Sequence, residues 1–247
     1  MPMQHDAWRG LVGRVTPTKT ARAVEELLRL LPDGIGILPL YCNIKNGRMD
    51  EFSHALDAYE SKIAELADDG VDLIQAAGTP PFMLMGYQKE QDQIRRWEDR
   101  YGIPIFTSGS NQIRAMRALG INSFVGIGYD FDDMSIVERY FRDADFDVVA
   151  LEKLPGSWEE IGNLSSREIY RIVKRLYLAN KGVDGIYVQG GKIRMLDMIE
   201  PLECDLERPL LHPATANAWE IMLRLTVRAP LGGYGRLLSE LPRDITK

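Results

Sequence analysis

The sequence predicts an α/β protein of two pseudo-symmetric halves, residues 1–118 and 119–247, each a four-stranded parallel sheet flanked by helices. Three observations predict it. Leu66 to Gly78 (LADDGVDLIQAAG) aligns without gaps on Leu178 to Gly190 (LANKGVDGIYVQG), keeping Leu, Ala, Gly, Val, Asp, Ile and Gly in place, the mark of an internal duplication. The period continues outward: VGRVTP at 12–17 faces VGIGYD at 125–130, and IPIFTSGSNQ at 103–112 faces RPLLHPATAN at 208–217. Short apolar runs alternate with helical periodicity throughout, which calls for parallel sheets with right-handed crossovers.

The strands expected, in order, are GLVGRVT (10–16), IGILPLY (35–41), VDLIQAA (71–77), IPIFT (103–107), SFVGIGY (123–129), DVVAL (147–151), DGIYVQ (184–189) and PLLH (209–212). Between the second and third, Phe52, Leu56, Tyr59, Ile63 and Leu66 recur at steps of four and three, giving one apolar helical face that Gly70 closes. In the second half Ser165 and Glu168 form a capping box. Ile169, Ile172, Val173 and Leu176 follow, and Gly182 is expected to end that helix.

At 247 residues and 45% hydrophobic content the chain can bury a sizeable core. A net charge of −6 without a basic cluster argues against nucleic acid or an anionic membrane as partner. No apolar stretch approaches the ~20 residues of a membrane span. MPMQHDAWRG lacks the apolar core of a signal peptide, so a cytoplasmic location is expected, and a homo-oligomer is the ordinary state of a compact metabolic enzyme. Cys42 and Cys204 lie far apart, and His5, His54 and His212 have no ligand spacing. Neither a disulfide framework nor a metal site is implied. GxGxxG and GxxxxGK[ST] are both absent, and no cofactor is expected.

Polar residues just past strand C-termini line the crevice of such a fold. This marks Thr16, Tyr41, Asn43, Thr79, Thr107, Ser108, Tyr129, Gln189, Lys192 and His212 as candidate site residues. If the halves face each other, Gly78 and Gly190 fall on opposite sides of one cleft, and their turns offer backbone N–H groups at helix N-termini, suited to a carboxylate. Lys192 reads equally as a clamp or base in the cleft and as a solvated lysine opening a helix. His212 reads equally as a general acid or base and as a histidine bonded to a nearby carbonyl. Cys42 is either a relocated nucleophile with a stabilised thiolate or, the commoner state, a buried free thiol; Cys204, in a helical connection, is expected to be inert. GGYGR around Tyr234 reads as a flexible turn, a lid or a subunit contact.

The segments IPIFTSGSNQIRAMRALG and DGIYVQGGKIRMLDMI, and the GTP turn after VDLIQAA, resemble the aspartate/glutamate racemase superfamily, in its maleate isomerase and arylmalonate decarboxylase branch. The resemblance covers most of the chain. It implies two Rossmann-like halves with the active site in the cleft between them. It also implies that the positions where racemases and isomerases of the superfamily carry one cysteine each are here Gly78 and Gly190. A two-thiol mechanism is then absent from its usual place. Carried over by position, Thr79, Tyr129 and the backbone of Gly191 bind a carboxylate or enediolate, and Pro80 stands where the decarboxylase has a serine.

The function expected on this basis is a cofactor-independent enzyme acting on a small carboxylic acid through an enolate or oxyanion intermediate. A decarboxylase-like lyase that does without the usual thiols ranks first. Tyr129, Lys192 and His212 form the expected catalytic set. Thr16, Tyr41, Asn43, Gly78, Thr79, Pro80, Ser108, Gln189, Gly190 and Gly191 form the expected substrate-binding set. A maleate-isomerase-like isomerase or racemase, a hydrolase with a non-cysteine base, and a non-catalytic carboxylate-binding module are the alternatives.

Overall fold

The computed structural model describes residues 6–19, 21–44, 55–129, 131, 133–156 and 158–243. Phe52, His5 and His54 lie outside these residues. Two compact units are present, residues 1–111 with 220–229 and residues 112–219 with 230–247.

The first unit contains β1 (Gly10–Thr16), α1 (Ala21–Leu30), β2 (Ile35–Tyr41), α2 (Ala55–Asp68), β3 (Leu73–Ala76), α3 (Thr79–Met85), α4 (Tyr87–Tyr101) and β4 (Ile105–Thr107). Its sheet is fully parallel in the order β2-β1-β3-β4. Tyr59, Ile63 and Leu66 form the buried stripe of α2, against Val15, Ile74 and Phe82. Gly13 stands under Leu66, whose side chain fills the space that a Cβ there would need.

A helix from Ser108 to Ala118, α5, leads to the second unit: β5 (Ser123–Gly128), α6 (Ser135–Arg142), β6 (Asp147–Lys153), α7 (Trp158–Ile161), α8 (Ser166–Ala179), β7 (Gly185–Val188), α9 (Ile199–Leu206), β8 (Leu210–Leu211), α10 (Pro213–Arg224) and α11 (Arg236–Glu240). The order β6-β5-β7-β8 repeats the first sheet, again parallel throughout. Phe124, Phe141, Phe146 and Tyr187 pack edge to face at its centre. The division between units falls within α5 and α10.

The duplication is visible in single hydrogen bonds. Asp72 accepts the Leu11 N–H at 2.7 Å while its own N–H donates to the Leu11 carbonyl at 2.9 Å. Asp184, its counterpart in the aligned block, does the same with Ser123, at 2.9 Å in each direction. Pro104 and Pro209 present their carbonyls to Ile74 and Ile186, both at 3.0 Å. Glu98 and Glu203 each accept the N–H of the residue seven places on, Ile105 at 2.8 Å and Leu210 at 2.7 Å. The glutamate pair lies in helices that share little else in register, Ile94 and Ile199 being one further match.

Three local expectations are corrected. The helix with the Ser165/Glu168 capping box ends at Ala179 with Asn180 as its cap, before Gly182, because the Asn180 N–H already turns back to the Tyr177 carbonyl. On that helix Tyr177 is buried and Ile172 only half-buried, since the buried stripe runs Ile169, Val173, Leu176 and Tyr177. GGYGR, expected as a flexible turn, is anchored at its own last residue, where the Arg236 N–H donates to Glu203 at 2.7 Å.

Asp184 has competing influences on its carboxyl. Burial raises its pKa, but the N–H groups of Ser123 and Asn122 and the Ser123 hydroxyl bring it below the ordinary aspartate value. A depressed carboxyl pKa contributes stability above its unfolded value, lost as pH falls through the folded one. Asp72→Ala and Asp184→Ala should each lower the unfolding free energy by about 1–3 kcal/mol in urea titrations, because a strand N–H loses its acceptor. Asp184→Ala should in addition flatten the acid limb of the stability profile.

Candidate active site

In the first unit the ends of the strands gather Thr16, Tyr41, Gly78, Thr79 and Ser108. Gly78 lies between β3 and α3 with φ +102. A Cβ there would meet Pro17 Cγ at 2.8 Å and Tyr59 Oη at 3.0 Å, so the position is closed to a side chain both by backbone conformation and by space. Tyr59, read from the sequence as part of an apolar stripe, also hydrogen-bonds the Ala77 carbonyl with its hydroxyl. Burial, then the nearby Cys42, pushes its pKa well above the ordinary tyrosine value and keeps that hydroxyl a donor.

The N–H of Gly78 is engaged, donating to Ser108 Oγ at 3.1 Å, so Ser108 shapes the turn. Both Pro80 and Pro81 sit in the first turn of α3, which removes two of the four N–H groups that a helix N-terminus ordinarily offers. The anion-binding capacity expected of this turn is therefore reduced to the Thr79 side chain and few backbone donors. Thr16 is buried and its hydroxyl contacts the Thr18 carbonyl at 3.3 Å; Asn43 is exposed with φ 59. Thr107 is fully buried and donates to Glu90 at 2.6 Å, a core pairing.

Burial works against a thiolate at Cys42. Burial lifts its pKa to about 11, with Lys62 offsetting only part of the effect. That shift argues against Cys42 as a relocated nucleophile, since a neutral thiol is a poor one. Cys204 is exposed on α9.

In the second unit Gln189, Gly190, Gly191 and Lys192 follow β7. Gln189 is fully buried, its side chain lying directly over Gly128. Gly190 has φ +98, and a Cβ on it would overlap the Tyr129 ring, 2.6 Å from Oη. Tyr129, 7% exposed, therefore fills the space that a side chain at 190 would take. Its hydroxyl oxygen accepts the Lys192 N–H at 2.8 Å, which ties ring and turn together.

Two expectations about this turn are corrected. Gly190 does not open a helix: the chain passes through a turn and a 3-10 segment, Leu196–Met198, before α9 begins at Ile199. Lys192 is thus a half-buried residue of a tight turn, with no helix N-terminus beneath it. His212 is fully buried; its Nδ1 accepts the Ala214 N–H at 3.2 Å, which leaves Nε2 as the donor to the Ile193 carbonyl at 3.3 Å. Both ring nitrogens are committed to backbone, the pattern of a histidine that shapes the turn. Among the described residues no cluster of His, Cys, Asp and Glu could hold a metal ion, and no helix is long and apolar enough to cross a membrane.

The family model for arylmalonate decarboxylase matches residues 14–238. The chain belongs to the arylmalonate decarboxylase family. Among solved structures it is similar to the maleate isomerase Iso from Pseudomonas putida S16, at 21% identity over 94% of this chain and 98% of that one, with a TM-score of 0.85. It is also similar to the Nocardia farcinica maleate cis-trans isomerase bound to TRIS (19% identity, 93% and 98% covered, TM-score 0.82) and to arylmalonate decarboxylase (19%, 93% and 99%, 0.78). These likenesses establish the shared fold. No curated protein matches the chain.

Arg14 within β1, Gln75 within β3, Tyr59 on α2 and Pro17 just past β1 were not expected as site residues. For Arg14 the signal was available: a charged residue inside the otherwise apolar strand GLVGRVT.

Gly190→Cys should be destabilising by about 1–3 kcal/mol, from positive φ and ring overlap. Adding Tyr129→Ala should recover part of that loss, seen as a favourable coupling in a denaturation double-mutant cycle. Cys204 should be alkylated by iodoacetamide at pH 8 well before Cys42.

Proposed function

We propose that the protein is a cofactor-independent lyase that decarboxylates a small carboxylic acid through an enediolate, without thiol chemistry. The observation that carries this reading is Tyr129, whose ring occupies the side-chain space of residue 190 and whose hydroxyl is tied to the turn through the Lys192 N–H. A thiol cannot occupy that place, and a phenol does.

In this reading the substrate's retained carboxyl group rests on the Gly190–Gly191 turn. Gly191 is exposed, with open space where a side chain would be, so a ligand can approach its backbone closely. The bond to the departing carboxylate breaks, carbon dioxide leaves, and the electron pair moves into the retained carboxyl group. Tyr129, made a better donor by the N–H on its oxygen, stabilises that charge together with the Gly191 N–H. The Lys192 ammonium then protonates the carbon and recovers its proton from water. His212 takes no part in proton transfer because both its nitrogens hold the backbone.

Several features support a lyase over a thiol-dependent isomerase. Backbone conformation and neighbouring side chains resist a side chain at both Gly78 and Gly190, and burial pushes the Cys42 thiol up to about 11. Loss of carbon dioxide demands stabilisation of negative charge more than a strong base, which suits a phenol and a lysine.

Proton NMR in D2O with malonate, phenylmalonate and maleate tests this. Carbon loss with deuterium incorporation is expected. Tyr129→Phe should cut kcat by about 100-fold or more, the scale of losing one oxyanion donor, and Lys192→Ala should slow protonation while leaving affinity within about threefold. Cis/trans conversion would replace the lyase by an isomerase, and saturable binding without turnover would replace it by a carboxylate-binding module.

A further inference from the structure

Arg14 is buried in the middle of β1, 6% exposed, between Pro39 of β2 and Gln75 of β3 in the register of a parallel sheet. Central parallel strands are covered on both faces and read as apolar runs, so a guanidinium here is a departure that needs a cause. Its one hydrogen bond among the described residues runs from Nη1 to Gln75 Oε1, a neutral acceptor, and its buried Nε has no partner. Among the described residues no carboxylate pairs with it. Buried charges are ordinarily paired, and five donors in a planar fork are the geometry that receives a carboxylate.

The position of the charge is marked by the groups it senses. Burial lowers the Arg14 pKa to about 10, while Tyr59 and then Tyr41 act in the opposite sense. At neutral pH it remains a cation. Tyr41 closes β2, and the Tyr59 hydroxyl bonds Ala77 immediately before Gly78. Both phenols therefore lie at the C-terminal end of this sheet.

We propose that Arg14 is the counter-charge for a carboxylate bound at the strand ends of the first sheet, and so a residue that selects anionic over neutral substrates. This rests on the reading that the strand ends carry the substrate site, and it adds a cation that neither the family match nor the glycine turns assign. The neutral acceptor Gln75 is what keeps the fork available: a carboxylate at position 75 would satisfy it internally and compete with the ligand.

The test is calorimetric titration of malonate and of neutral malonamide into the wild type, Arg14→Lys, Arg14→Met, Gln75→Glu and Tyr129→Phe, with thermal melts on each. Arg14→Met and Gln75→Glu should weaken malonate by about tenfold or more, and Arg14→Lys by less, with the malonamide response unchanged. Gln75→Glu should also raise Tm, because it pairs a buried cation in place; this variant keeps the test decisive if Arg14→Met folds poorly. Unchanged malonate affinity in a folded Gln75→Glu, or no saturable malonate binding to the wild type, would overturn the assignment. The two proposals fail separately. Full turnover by Tyr129→Phe with the Arg14 effects intact removes the proposed chemistry and keeps the anion site. The reverse pattern removes the anion site and keeps the chemistry.

Discussion

Side-chain carboxylates that take up strand N–H groups hold both sheets in register, and the strand ends follow from that register. Asp72 and Asp184 clamp the central strands β1 and β5, and Glu98 and Glu203 clamp the edge strands β4 and β8. A slip of one residue in any of these would exchange the two faces of the strand. It would also move Thr16 or Tyr129 away from the glycine turn beside it. The edge strands are only three and two residues long, too short for their own ladders to fix them. Glu203 extends the same role, since its second oxygen binds the Arg236 N–H. Burial nonetheless raises its pKa above the usual glutamate value, against those two backbone bonds.

On this common frame the two glycine turns have diverged. In the first, Pro17 and the Tyr59 hydroxyl crowd Gly78, Ser108 takes its N–H, and two prolines thin the donors of the following helix. In the second, the ring of Tyr129 crowds Gly190 and the following residues stay outside any helix. Positive φ at both glycines keeps the chain in a conformation that side chains resist, so a cysteine at either turn carries a backbone cost. The proposed chemistry is accordingly electrostatic, spread over a phenol, a lysine and backbone donors.

The fold was legible because its signals are local and repeated. All eight strands occur where apolar runs stand between turn residues, and Ser165 with Glu168 caps its helix as the spacing predicts. The Asp of the GVD block was visible as a match but not as a clamp, since its partner lies 61 residues away. The site was less legible for the same reason. Whether His212 is free or committed depends on the Ile193 carbonyl and the Ala214 N–H, and whether Cys42 ionises depends on burial. Neither can be read from residue type. Arg14 is the opposite case: its charge inside the apolar strand GLVGRVT is legible from residue type alone, whereas its neutral partner Gln75 is not.

Burial acts in opposite senses on the two kinds of group at the first strand ends. It suppresses the charge of Cys42 and Tyr59, whose pKa values both rise, and it leaves Arg14 charged, because even a lowering to about 10 stays above neutral pH. The same low-polarity surroundings therefore remove the candidate anions and retain the cation. Such an environment opposes a thiolate and favours an arriving carboxylate, which recovers the electrostatic stabilisation that the sheet itself does not supply. A neutral ligand gains none of this. Selection for anionic ligands would then follow from where one arginine is buried.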